Sequence, residues 1–161
     1  MRYRLQQKLL ALGDDFTIRD EEERDVFLVD GKAFSLGKQL SFQDADGNEL
    51  AYIRQKLFRL RPTYEIWIDG ELRAVVTKEL FSLFKCRFLI DVPGPDDIEA
   101  EGDFLDHEYR FTRDGRTIAT VSRQWFTLRD TYGVDIADET ATVDILCGVV
   151  VIDLMCHGRR H

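Results

Sequence analysis

The chain has 161 residues, 44% hydrophobic and 32% charged, which is enough for one domain with a sizeable core and too apolar for a disordered segment. Its net charge of −8 argues against general nucleic-acid binding, which needs a basic footprint. Three cysteines, Cys86, Cys147 and Cys156, show neither metal-ligand spacing nor a disulfide framework and read as buried free thiols in a reducing compartment.

At the N-terminus, Met1-Arg2-Tyr3-Arg4-Leu5 has no apolar run of signal-peptide length, so a cytoplasmic location is the expectation. Leu5-Gln6-Gln7-Lys8-Leu9-Leu10-Ala11-Leu12 is the first of four copies of one pattern. It returns at Ile53-Arg54-Gln55-Lys56-Leu57-Phe58-Arg59-Leu60, at Val76-Thr77-Lys78-Glu79-Leu80-Phe81-Ser82-Leu83 and at Val121-Ser122-Arg123-Gln124-Trp125-Phe126-Thr127-Leu128. Apolar residues occupy its first, fifth, sixth and eighth positions. The copies start 48, 23 and 45 residues apart, which predicts a tandem duplication with halves near 5–70 and 76–136.

Alternation predicts strands at Phe16-Thr17-Ile18, Val26-Phe27-Leu28-Val29, Leu40-Ser41-Phe42, Tyr64-Glu65-Ile66-Trp67-Ile68 and Tyr109-Arg110-Phe111. Asp-Gly pairs at 30–31, 46–47, 69–70 and 114–115 mark hairpin turns between them. Two adjacent apolar residues inside a copy, Leu57-Phe58 or Trp125-Phe126, cannot both face inward, so a bulge or corner is expected there. About a dozen short strands with such turns indicate an antiparallel barrel or sandwich.

From Asp138 the period changes. Asp138-Glu139-Thr140-Ala141 reads as a helix start with Asp138 as cap, and Ile145 to Ile152 is apolar on every side. A transmembrane span is opposed by Asp144 and Asp153, which close the run early. Three consecutive valines favour a buried strand, but the length favours a helix from about Asp138 to His157. A helix that is hydrophobic all round must be enclosed by protein, and the simplest container is a barrel made by the preceding strands.

Catalytic signatures are sparse. The chain has no Gly-rich phosphate loop, nucleophile elbow or CxxC, so neither an enzyme nor a cofactor is expected. His107 sits among Asp103, Asp106 and Glu108, but alternation puts His107 and Asp106 on opposite strand faces. It reads as a structural histidine and not a metal ligand, while His157 and His161 fall at the frayed chain end. Asp44-Ala45-Asp46-Gly47-Asn48-Glu49 lacks calcium-loop spacing and reads as a hairpin turn.

Charge is segregated along the chain. Asp20 to Asp25 and Asp91 to Glu108 are acidic, whereas Lys8, Arg54, Lys56, Arg59, Arg61, Lys78, Lys85, Arg87, Arg123 and Arg129 lie in or beside the copies. Such cations serve either as strand surfaces that blunt aggregation or as a basic binding face.

Arg54-Gln55-Lys56-Leu57-Phe58, Arg123-Gln124-Trp125-Phe126, Gly102-Asp103-Phe104-Leu105-Asp106-His107-Glu108-Tyr109 and Asp130-Thr131-Tyr132-Gly133-Val134-Asp135-Ile136 resemble the LURP-one-related family. That family belongs to the tubby C-terminal-like superfamily, together with phospholipid scramblases. The resemblance covers nearly the whole chain and implies a single domain, residues 1–161, with a mainly β fold: a twelve-stranded barrel around a hydrophobic C-terminal helix. Tubby domains bind phosphoinositide headgroups through surface Lys and Arg, so the resemblance also implies a site for an anionic phospholipid or another phosphorylated headgroup. Arg54, Lys56, Arg59, Arg61, Lys78 and Arg87 are the residues expected to form it, on one face away from the acidic 91–108 segment, with a peripheral place at the membrane. The alternative is a structural or regulatory scaffold acting through protein partners.

Overall fold

The computed structural model describes residues 1–7, 15–32, 36–80, 86–126 and 131–157. Lys8, Lys85, Arg129 and His161, and parts of three of the four sequence copies, lie outside the described residues.

The strands are β1 (Arg2–Gln7), β2 (Phe16–Arg19), β3 (Asp25–Gly31), β4 (Gln39–Asp44), β5 (Glu49–Lys56) and β6 (Thr63–Ile68). They continue as β7 (Glu71–Leu80), β8 (Cys86–Asp91), β9 (Ile98–Asp103), β10 (Glu108–Arg113), β11 (Arg116–Ser122) and β12 (Thr131–Ile136). A short 3-10 turn, Glu139–Ala141, leads into the helix α1 (Thr142–His157). Each strand pairs antiparallel with its successor, and β1 closes the barrel on β12 with Leu5 opposite Tyr132. Closure leaves the sheet without a free edge.

Period-two alternation decides which residues face inward. Phe16 and Ile18, Leu40 and Phe42, Ala51 and Ile53, Ala74 and Val76, Phe88 and Ile90, and Val121 are all buried in the interior. On α1 the residues from Ile145 to Leu154 are buried without exception. The helix is therefore the core of the barrel, and burial outweighs the modest helix-propensity cost of Val149, Val150 and Val151. With its leading turn it runs from Glu139 to His157, long and apolar enough to cross a membrane, yet strands enclose it here. The Asp138 cap is present: its carboxylate accepts from Thr140 N at 3.0 Å.

One sequence expectation needs correction. Asp30-Gly31 lies inside β3, paired with Ser41 and Leu40, and is not a turn. The Asp-Gly pairs at 46–47, 69–70 and 114–115 do fall at hairpins, and the Asp44 carboxylate accepts from Asp46 N and Asn48 N, as a hairpin requires. The expected irregularity at Leu57-Phe58 and Trp125-Phe126 is a corner: both pairs follow the last residue of a strand. Register shifts occur elsewhere, including matching places in β4–β5, after Phe42, and β10–β11, after Phe111.

Candidate functional site at the mouth of the barrel

In an up-and-down barrel all odd-numbered strands end at the same side. The β5–β6 loop, the β9–β10 turn and the start of the β11–β12 connection therefore share one mouth. After β12 the chain is at the opposite end, so α1 runs through the lumen and finishes at this mouth. There His157 Nε2 donates to Phe104 O in the β9–β10 turn at 3.0 Å.

The β9–β10 turn is built by the stretch from Gly102 to Tyr109. Gly102 has φ of 137°, and a Cβ on it would come within 2.6 Å of Glu108 O, so only glycine permits this close crossing. Asp103 accepts from Asp106 N at 3.1 Å, and Phe104 packs its ring on Phe88 and Tyr109. His107 adopts φ of 53°, leaves the strand alternation and turns its ring inward over the end of α1. Glu108 accepts from Ser122 Oγ, Arg123 N and Gln124 N, which ties the turn to the end of β11.

His107 thus meets two residues of α1 spaced one helical turn apart. Its Nε2 lies 2.9 Å from Asp153 Oδ1, and its ring stacks on His157 at 4.4 Å and on Tyr132 at 4.3 Å. Asp153 is a carboxylate only 5% exposed inside an otherwise apolar lumen. Burial, with the Asp153 carboxylate adding to it, pushes the Tyr109 and Tyr132 hydroxyls well above the ordinary tyrosine value. Burial also raises the Cys156 thiol to about 11, although the Lys78 ammonium pulls it down, so Cys156 stays protonated. Sequence reasoning placed His157 at a frayed end. It is instead the last residue of α1, ring-stacked and hydrogen-bonded.

The basic residues occupy the neighbouring sector, β5 to β8. Arg54 and Lys56 project from the outer face of β5, and Arg59 and Arg61 lie in the β5–β6 loop. Arg87 lies on β8, opposite Glu79 of β7. Lys78 differs. It shares the inward parity of Ala74 and Val76, not that of the outer-face residues, and its charge acts on the Cys156 thiol. β7 does not pair beside β5, because β6 stands between them.

Carboxylates penetrate this sector. Lys56 pairs with Glu65 at 3.8 Å and Arg61 with Glu79 at 3.6 Å, while Arg87 contacts Glu79 at 2.7 Å and Glu99 at 3.8 Å. Glu99 belongs to the acidic 91–108 segment, so the cations are not set apart from it as expected; β8 and β9 are sheet neighbours. Among the described residues Arg54 and Arg59 form no ion pair.

Alternation gives no warning of the apolar rim of the same mouth. Phe58 is 101% and Leu60 107% exposed, and Leu36 and Leu105 in adjoining connections and Leu80 at the end of β7 are exposed as well. Phe58 also has φ of 60°, a costly conformation for a bulky residue, and its backbone turns the ring outward. The matching aromatic of the last copy is treated differently. Arg4 lies over the Phe126 ring, Arg2 lies 4.0 Å over Trp125, and both rings pack where Gly133 has no side chain. Phe58 and Leu60 could have been found only by asking which copy lacks such cover.

A closed twelve-stranded barrel whose core is its own C-terminal helix is the tubby-like class of fold. Residues 1–153 match the LURP-one-related family, and the chain belongs to that family. It is 33% identical over 154 residues to the uncharacterized protein YxjI of Bacillus subtilis, covering 96% of this chain and 93% of that one. Its fold is similar to the X-ray structure of the Arabidopsis thaliana protein AT5G01750, with a TM-score of 0.67 at 14% identity, over 96% of this chain and 91% of the other.

Proposed function

We propose that this chain is a non-enzymatic binding module that attaches at the periphery of anionic lipid surfaces, with the β5–β6 loop as its docking edge. The observation that carries this reading is Phe58-Arg59-Leu60-Arg61: two fully exposed apolar side chains alternate with two arginines at one rim. Apolar tips that enter the acyl boundary, flanked by cations at headgroup level, are the chemistry of interfacial attachment. Arg54, Lys56 and Arg87 extend the positive surface down the barrel wall, and Lys78 stands just inside the mouth. A lumen filled by α1 leaves no substrate chamber, which supports a binding role over a catalytic one. The protein-scaffold alternative is favoured by Glu65, Glu79 and Glu99, which neutralise part of the sector, and by the net charge of −8.

Vesicle co-sedimentation at low salt separates the two. Phosphatidylcholine vesicles containing phosphatidylserine or a phosphoinositide should retain the protein, and plain phosphatidylcholine should not. Lys56→Glu/Arg59→Glu should weaken retention by about tenfold or more, and raised salt should do the same. Phe58→Ser/Leu60→Ser should weaken vesicle binding while leaving competition by free inositol phosphate unchanged, which separates a membrane from a soluble anion. Indifference of the wild type to anionic vesicles refutes the proposal in favour of the scaffold.

A further inference from the structure

We propose that the mouth of the barrel holds a divalent transition-metal ion of the zinc class, bound by His107, Asp153 and His157. One ligand comes from the β9–β10 turn and two from the last turns of α1, so the ion would fasten the core helix to the barrel wall. The ligand atoms of the three side chains all lie within 4.8 Å of one another. The 2.9 Å between His107 Nε2 and Asp153 Oδ1 is a spacing that two bonds of about 2.0–2.1 Å to one ion can bridge after slight opening.

Three further observations point to a cation. First, a carboxylate 5% exposed inside the barrel is costly unless positive charge meets it, and among the described residues the ion-pair partner of Asp153 is a histidine, His107, with no Lys or Arg reaching it. Second, protein atoms leave a ring nitrogen at the site unsatisfied: His107 Nδ1 is buried without a hydrogen-bond partner. Third, a carbonyl can only accept, so the 3.0 Å contact of His157 Nε2 with Phe104 O puts the proton on Nε2. That leaves Nδ1 as a free lone pair, the outer-sphere arrangement typical of a metal-ligating histidine.

The donor set selects the ion class. Two imidazoles and one carboxylate suit zinc, cobalt or nickel, whereas calcium and magnesium demand oxygen ligands. The near-parallel stack of His107 and His157, tilted by only 11°, keeps their lone pairs from converging. Binding therefore requires the His157 ring, half-buried at the end of α1, to tilt out of the stack about its bond to Phe104.

The test uses full-length protein freed of metal with a chelator, and Zn²⁺, Co²⁺, Mg²⁺ and Ca²⁺ as probes. Calorimetry should give one Zn²⁺ per chain, with a rise in Tm of several degrees that Mg²⁺ and Ca²⁺ do not reproduce. Co²⁺ should develop the ligand-field absorption of a low-coordinate nitrogen–oxygen site. His157→Ala keeps the His107–Asp153 contact and should fold, yet weaken Zn²⁺ binding at least tenfold; His107→Gln should do the same. His161→Ala controls for chelation by the chain end and should change nothing. The proposal is overturned if folded wild type shows neither a Tm shift nor Co²⁺ absorption. It is equally overturned if binding survives His157→Ala and disappears with His161→Ala.

Discussion

Gly148 tests directly whether the core helix is pressed against the wall. It sits in the middle of α1, and a Cβ built there would lie 3.4 Å from Ile90 Cδ1 of β8 and 3.4 Å from Phe111 Cε1 of β10. Both neighbours are almost wholly buried and have nowhere to retreat. A methyl group at 3.4 Å is in ordinary contact, so Gly148→Ala fits and replaces the poorest common helix former with the best, worth about 1 kcal/mol. Gly148→Leu gains most of that propensity but drives three more carbons into filled space. Overpacking of this kind costs roughly 1–3 kcal/mol or more, and the net effect is destabilising. In a chain of this size each kcal/mol moves Tm by about 2–4 °C. Alanine should therefore raise Tm by a few degrees, and leucine, with a net cost of up to about 2 kcal/mol after the propensity gain, should lower it by up to about 8 °C. Urea unfolding followed by circular dichroism would give the same order through its midpoints. A leucine variant as stable as the parent, or an alanine variant less stable than it, refutes the close approach of helix and wall.

Two further outcomes follow from the same packing. Ending the chain after Ala137 removes the helix whose residues from Ile145 to Leu154 fill the lumen, so the remaining strands should be insoluble or molten; a truncated barrel that still unfolds cooperatively contradicts the fold reasoning. Hydrogen bonds from Thr140, side chain first and then backbone, hold the Asp138 carboxyl below its usual value, so its stabilising effect is complete above about pH 4 and is lost as pH falls through the lowered pKa. The stability gap between parent and Asp138→Ala should be constant from pH 5 to 7 and close below about pH 4, and a gap that persists to pH 2 counts against the cap.

Most of the architecture was legible because barrel and helix leave different signatures. Period-two alternation exposed the strands around Phe16, Phe42, Ile66 and Phe111, and an apolar run with no polar face left α1 only the interior to occupy. Asp30-Gly31 misled because turn chemistry is a local preference. Pairing of Gly31 with Leu40 is a non-local gain that outweighs it. The site was far less legible. His107 could be read only against its sequence neighbours, whereas its partners Asp153 and His157 are 46 and 50 residues away on another element. Parity also hides at strand ends: Lys78 and Glu79 are adjacent in sequence, yet one has the inward parity of Val76 and the other pairs with Arg61 and Arg87 outside.

The coincidence of an apolar, cationic rim and a buried histidine–carboxylate cluster at one mouth has a topological cause. An even number of up-and-down strands returns the chain to the end where it began, so a core helix that follows β12 must cross the whole lumen. At 1.5 Å per residue its 16 residues extend about 24 Å, against roughly 20 Å for a six-residue strand, so the helix just spans the barrel. Its last turn therefore reaches the odd-numbered loops, and a side chain there, unlike one in mid-helix, can be polar because loops and not strands close over it. Asp153 and His157 lie four residues apart on one helix face at that depth, and the β9–β10 turn is the connection that bends inward to meet them. The β5–β6 loop, which makes no such inward turn, keeps Phe58 and Leu60 outside. The proposed lipid contact and the proposed metal site thus use different connections of the same mouth, and charge reversal at Arg59 tests the first without touching the ligands of the second.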